Sequence, residues 1–166
     1  LVLVFLAARP IWMTREPPAA ATRPVMVLMD RSESMSLDEH DATRYQQALG
    51  FLRERLLPAL RAASLSVQAV LFDQGAEPAD GGKLSSATPN GKRTNLGGAV
   101  AQALGNAAQP PLAVIALTDG IVNDSADNTR ALTTLLDARV PFIGVGFGSD
   151  QGVRTLSLRE LEAPST

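Results

Sequence analysis

The residues best suited to chemistry are Asp30, Ser32 and Ser34, which end the stretch that begins Val25-Met26-Val27-Leu28-Met29. One carboxylate and two hydroxyls stand at i, i+2 and i+4, where a tight turn can aim three oxygens at one point. Hard divalent cations take oxygen ligands of this kind. Thr94, at a loop-to-helix junction, and Asp119, after another apolar run, complete the set. Two carboxylates roughly neutralise a dication, and three hydroxyls add neutral ligands. An octahedral ion such as Mg²⁺ keeps some of its waters, so one position stays exchangeable and a carboxylate of another protein can fill it.

These residues need a frame that brings distant segments together. Val25 to Met29 has the length and flanks of a buried strand. A helix is predicted from about Ala42 to Ala63, on the stripe Tyr45, Leu49, Leu52, Leu56 and Leu60, with a kink or division at Pro58. Ser66 to Phe72 alternates as a strand. Residues 73–93 read as a long loop holding at most one short edge strand. Leu96, Ala99, Val100, Ala103, Leu104 and Ala107 recur at helical spacing until Pro110-Pro111. Leu112 to Leu117 is the unbroken apolar run of a strand buried on both faces. A helix over about Asp127 to Arg139 is expected to bury Ala131, Leu132, Leu135 and Leu136. Pro141 to Phe147 and residues 153–162 read as further strands. Strands alternating with helices predict an α/β, doubly wound, mostly parallel central sheet with helices on both faces. Ligands bind such sheets at the carboxyl ends of strands, where the strand order switches, and Asp30 and Asp119 both stand at such ends.

Composition narrows the function classes. The chain has 166 residues, 45% of them apolar and 19% charged, which suits one domain with a sizeable core. With 15 basic and 17 acidic residues, its net charge of −2 gives no electrostatic reason to expect nucleic acid as a partner. There is no cysteine, so disulfides, thiolate metal sites and a cysteine nucleophile are excluded.

Other chemistries compete for the same residues. Asp30, Ser32, Ser34, Ser36, Asp38 and Asp41 occupy ligand positions of a calcium loop, but its sixth position requires Gly and holds Met35. Asp30 could serve as the nucleophile of a Mg-dependent phosphoryl-transfer enzyme, yet the acid–base partner wanted two residues later is Ser32. Ser32 and Ser34 taken singly also suit a solvated turn or helix cap, and a scaffold with a degenerate site is a further alternative. Gly144-Val145-Gly146-Phe147-Gly148 lacks full dinucleotide-fingerprint spacing. His40, the only histidine, lies in an acidic stretch that reads as solvated loop. Asn123-Asp124-Ser125 matches a glycosylation sequon, and Arg53, Arg55 and Arg61 read as a solvated helix face.

Residues 25–159 resemble a von Willebrand factor A domain, the fold of the integrin inserted domain. That family's metal-ion-dependent adhesion site uses Asp-x-Ser-x-Ser, then Thr, then Asp, and Asp30, Ser32, Ser34, Thr94 and Asp119 match in order. Met35, Leu96-Gly97-Gly98 and Thr118-Asp119-Gly120 match its surroundings, whereas Asn95 stands where the family often has Asp. The resemblance implies a doubly wound sheet with one antiparallel edge strand. It also implies a Mg²⁺ or Mn²⁺ site (Ca²⁺ less so) that binds an Asp or Glu of a partner protein, without catalysis. Residues 1–13 read as the end of a transmembrane helix, with Arg9 and Trp12 suited to the headgroup zone. Residues 14–24 read as a Pro/Ala linker and 160–166 as the start of a linker to another module. This opening resembles bacterial membrane proteins of the aerotolerance-operon type, anchored in the inner membrane. Arg9, Arg15 and Arg23 hint at a cytoplasmic side.

Overall fold

The computed structural model describes residues 23–39 and 41–148. Strand β1 (Val25–Asp30) is buried along its whole length, as a strand covered on both faces must be. A 3₁₀ turn (Glu33–Ser36) leads into a small antiparallel hairpin of β2 (Asp38–Glu39) and β3 (Ala42–Thr43). Helix α1 (Arg44–Phe51) then begins two residues later than its apolar stripe predicts. The reason is a capping box: the Thr43 hydroxyl accepts from Gln46 N, and the Gln46 side chain accepts from Thr43 N. The disturbance expected at Pro58 takes the form of a π-helical run, Leu52–Leu56, ahead of α2 (Leu57–Ala62). Leu57 N–H reaches back to Leu52 O, and this wider turn accommodates a proline that has no N–H to donate.

The remaining elements are β4 (Val67–Phe72), β5 (Ala76–Ala79), α3 (Gly81–Ser86), α4 (Leu96–Gly105), β6 (Ala113–Thr118), α5 (Asn128–Ala138) and β7 (Phe142–Gly146). The main sheet has five strands in the order β5-β4-β1-β6-β7. β1 runs parallel to β4 and β6, β6 parallel to β7, and only β5 is antiparallel. β5 is the edge strand foreseen in the long loop, and Pro78 is tolerated there because an edge leaves an N–H position unpaired.

Alternation along β1 divides the core into two layers. Met26 and Leu28 pack with Ala99, Val100 and Ala103 of α4 and with Ala131 and Leu135 of α5. Val25, Val27 and Met29 pack on the other face with Tyr45, Ala48 and Leu52 and with Leu84 of α3. The chain is therefore an α/β fold with a mostly parallel sheet, helices on both faces and one antiparallel edge strand.

One core expectation fails on α5. Ala131 and Leu135 are buried, but Leu132 and Leu136 are 49% and 67% exposed. Only the 131–135–138 stripe docks on the sheet layer, and the next row around the helix points to solvent. The linker yields a smaller finding. Its last basic residue, Arg23, donates to the carbonyls of Pro110 and Pro111, each at 2.7 Å, and Leu112 N donates to Pro24 O at 2.8 Å. The expected last strand over 153–162, residues 1–22 and His40 lie outside the described residues. Among the described residues, no helix is long and apolar enough to cross a membrane.

Candidate functional site

Consecutive parallel strands set the location. From β1 the chain goes to β4 on one side and later to β6 on the other. The carboxyl ends of β1 and β6 thus flank the switch in strand order, the ligand-binding edge of α/β sheets. Asp30 ends β1, and Asp119 directly follows β6.

Asp30 is fully buried and both its oxygens are engaged. Oδ1 accepts from Ser32 N at 2.8 Å, and Oδ2 accepts from Thr118 Oγ1 at 2.5 Å. The strand register explains the second bond: Met29 pairs with Leu117, which sets Thr118 across from Asp30. Burial pushes the Asp30 carboxyl above its ordinary pKa. The hydrogen bonds from Thr118 and Ser32 pull it down and the nearby Asp119 charge pushes it up again, with burial dominant. The hydroxyls of Ser32 and Ser34 lie 3.0 Å apart at the turn that follows β1.

The Thr94 loop is stitched to that turn through its backbone. Glu33 N donates to Gly91 O at 2.7 Å and Gly91 N to Arg31 O at 3.1 Å. Thr94 is buried just ahead of α4 rather than opening it. The cap is Asn95, whose Oδ1 accepts from Gly98 N at 2.7 Å while its Nδ2 donates to Asp127 Oδ2 at 2.9 Å. An aspartate in place of Asn95 could accept at the cap but would face Asp127 as a like charge. The loop after Asp119 closes the ring, because Asn123 Oδ1 accepts from Thr94 N at 2.8 Å and Asp124 N donates to Thr94 O at 3.3 Å. The sequon asparagine thus has a structural task.

Asp119 Oδ1 accepts from Ile121 N at 3.0 Å, and its Oδ2 accepts from Arg44 Nη1, also at 3.0 Å. Arg44 was not foreseen. Its Nε and Nη2 donate to Glu39 Oε1 at 3.0 and 2.6 Å. Burial works against the Arg44 charge, but the carboxylates of Glu39 and Asp119 outweigh it and raise its pKa. A signal did exist in the sequence: a cation in the first turn of a helix opposes the macrodipole and needs a carboxylate partner elsewhere. Thr118 and Asn123 carried no such mark.

No protein-family model matches this chain, and none of the curated proteins is significantly similar to it.

The donor set is oxygen-only, as a hard cation requires. Each Asp30 oxygen accepts one hydrogen bond and retains further acceptor capacity. Among the described residues no three Asp, Glu or His side chains gather as a metal-binding group, so a cation here would rest on two carboxylates, hydroxyls and water. Other candidate features have other occupations. Arg31, inside the motif, pairs with Asp73 at 2.9 Å and Glu77 at 2.5 Å. Gly144 and Gly146 lie in β7. Asp38 and Asp41 are exposed on the β2–β3 hairpin, which is strand and turn where a calcium loop would wrap its ion.

Proposed function

We propose that this chain is a divalent-metal-dependent protein-interaction domain of the von Willebrand A type, part of a larger membrane-anchored bacterial protein and not an enzyme. Asp30, Ser32, Ser34, Thr94 and Asp119 would hold Mg²⁺ or Mn²⁺. The ion would supply a Lewis-acidic position for an Asp or Glu of the partner. One observation carries this reading: the turn after β1, the loop before α4 and the loop after β6 are joined at the switch in strand order, and each brings part of the five-residue set. The phosphoryl-transfer alternative draws less support. The acid–base residue such an enzyme needs two positions after Asp30 is Ser32, whose hydroxyl is no acid of suitable pKa.

Calorimetric titration of MgCl₂ and MnCl₂ into the chain and into its Asp119→Ala variant tests the site. Binding is expected for the first and loss of at least tenfold in affinity for the second. No binding by the parent chain sinks the proposal. A pull-down from the source membrane with and without chelator then tests the partner, whose retention must depend on the cation.

A further inference from the structure

Among the described residues, Arg44 is the one buried cation in this neighbourhood that the proposed site does not use. It is only 5% exposed, at the start of α1. Its guanidinium spans two carboxylates: Glu39 on the β2–β3 hairpin and Asp119 at the end of β6. Gly148 backs it closely, since a Cβ there would stand 3.3 Å from Arg44 Nε. The guanidinium is therefore held in place by its surroundings, with two of its three donors to acids turned toward Glu39 and one toward Asp119.

Resting on the metal reading above, we infer that Arg44 is a resident cation that competes with the divalent ion for Asp119, with Glu39 as the anchor it keeps when Asp119 is taken. The charge count gives the direction. Counted as formal charges, Asp30, Asp119 and Glu39 contribute three negative and Arg44 one positive, so the cluster presents −2 to an entering dication. Removing Arg44 leaves −3, and neutralising Glu39 leaves −1. In a buried site such charges are weakly screened. Two donors of Arg44, Nε and Nη2, converge on the one oxygen Glu39 Oε1 and fix the guanidinium near the site, so a metal ion that draws Asp119 need not expel Arg44 into solvent. Arg44 thereby sets how much free metal is needed to load the site, and the β2–β3 hairpin, through Glu39, has a say in that threshold.

The test titrates MnCl₂ into the parent chain, Arg44→Gln, Arg44→Lys, Glu39→Gln and Asp30→Asn by calorimetry, with circular dichroism to verify folding. Arg44→Gln is expected to bind at least tenfold tighter, Arg44→Lys close to the parent because the charge remains, and Glu39→Gln several-fold weaker. A folded Arg44→Gln that binds no tighter than the parent overturns this inference while leaving the site intact, because the guanidinium then merely positions Asp119. If Arg44→Gln does not fold, Glu39→Gln decides: weaker binding supports the competition, and equal or tighter binding overturns it. No Mn²⁺ binding by any of the chains, or binding unchanged in Asp30→Asn, overturns the proposed function and this inference with it.

Discussion

Asp30 shows how far a site can depart from what folding alone would select. A carboxylate at the buried end of a central strand costs stability when ionised, and its raised pKa states that cost. The sign is fixed. The folded-state pKa lies above the unfolded one, so between the two values the native chain binds more protons and stability falls as pH rises. Above the folded pKa the whole penalty applies, and below the ordinary value of 3.8 it is gone. Asp30→Asn keeps an acceptor for Ser32 N and removes the charge. In the presence of chelator this variant is expected to melt above the parent at neutral pH. The gap should close as acid is added through the window between the folded pKa and 3.8. Thermal melts across pH check this. A lower-melting Asn variant at neutral pH would mean that the hydrogen bonds from Ser32 and Thr118 to a charged oxygen outweigh burial. Cation-linked stability that vanishes in the same variant would mark Asp30 as kept for ligand binding.

At the scale of elements, the junction of α4 and α5 shows why a small residue sits beside the candidate site. A Cβ on Gly97 would meet Asn128 N at 2.7 Å and the Asp127 carbonyl carbon at 2.8 Å. These are backbone atoms and cannot swing aside. Gly97→Ala must therefore move the start of α5, and with it Asp127, the partner of the Asn95 cap. Overpacking of this kind costs about 1–3 kcal/mol, which for a domain of this size lowers the melting temperature by several degrees. A melt within a degree of the parent would show that the two helices are not locked at this point. The Leu96-Gly97-Gly98 run was legible as part of a motif, but its reason, helix-to-helix contact, was not. The same divide runs through the other elements. β1 and β6 were readable because a strand buried on both faces is an unbroken apolar run. Helix α3 was missed because Gly81-Gly82-Lys83-Leu84-Ser85-Ser86 has poor helix propensity. What holds it is local: the Asp80 side chain accepts from Lys83 N at 2.7 Å, and Leu84 packs into the core. An Asp cap ahead of one apolar residue is too short a pattern to distinguish from a turn. Asp30, Ser32 and Ser34 could be found because their spacing is local. Arg44 could not be linked to Asp119, 75 residues away, because only the strand order makes them neighbours.

At the scale of the molecule, the sheet is held differently at its two ends. The amino end is closed by backbone bonds, Val25 N to Ser66 O and Leu112 N to Pro24 O, each at 2.8 Å, and by Arg23 on Pro110 and Pro111. The carboxyl end depends on polar contacts among the β1 turn, the loop before α4 and the loop after β6. A cation bound by ligands from all three would stabilise their joint arrangement by about 2.7 kcal/mol at a hundredfold excess over Kd. Local opening there should then become rarer, and amide exchange should slow together at Ser32, Thr94 and Ile121 when Mg²⁺ or Mn²⁺ is added. Amides at the amino end, such as Val25 and Leu112, should change far less, because their opening does not break the site. Hydrogen exchange followed by NMR with and without the cation distinguishes the outcomes. Protection confined to the β1 turn would mean that Asp30, Ser32 and Ser34 bind without Thr94 or Asp119. A site shared among the three segments must slow all of them with one concentration dependence, since a single ion cannot be half released.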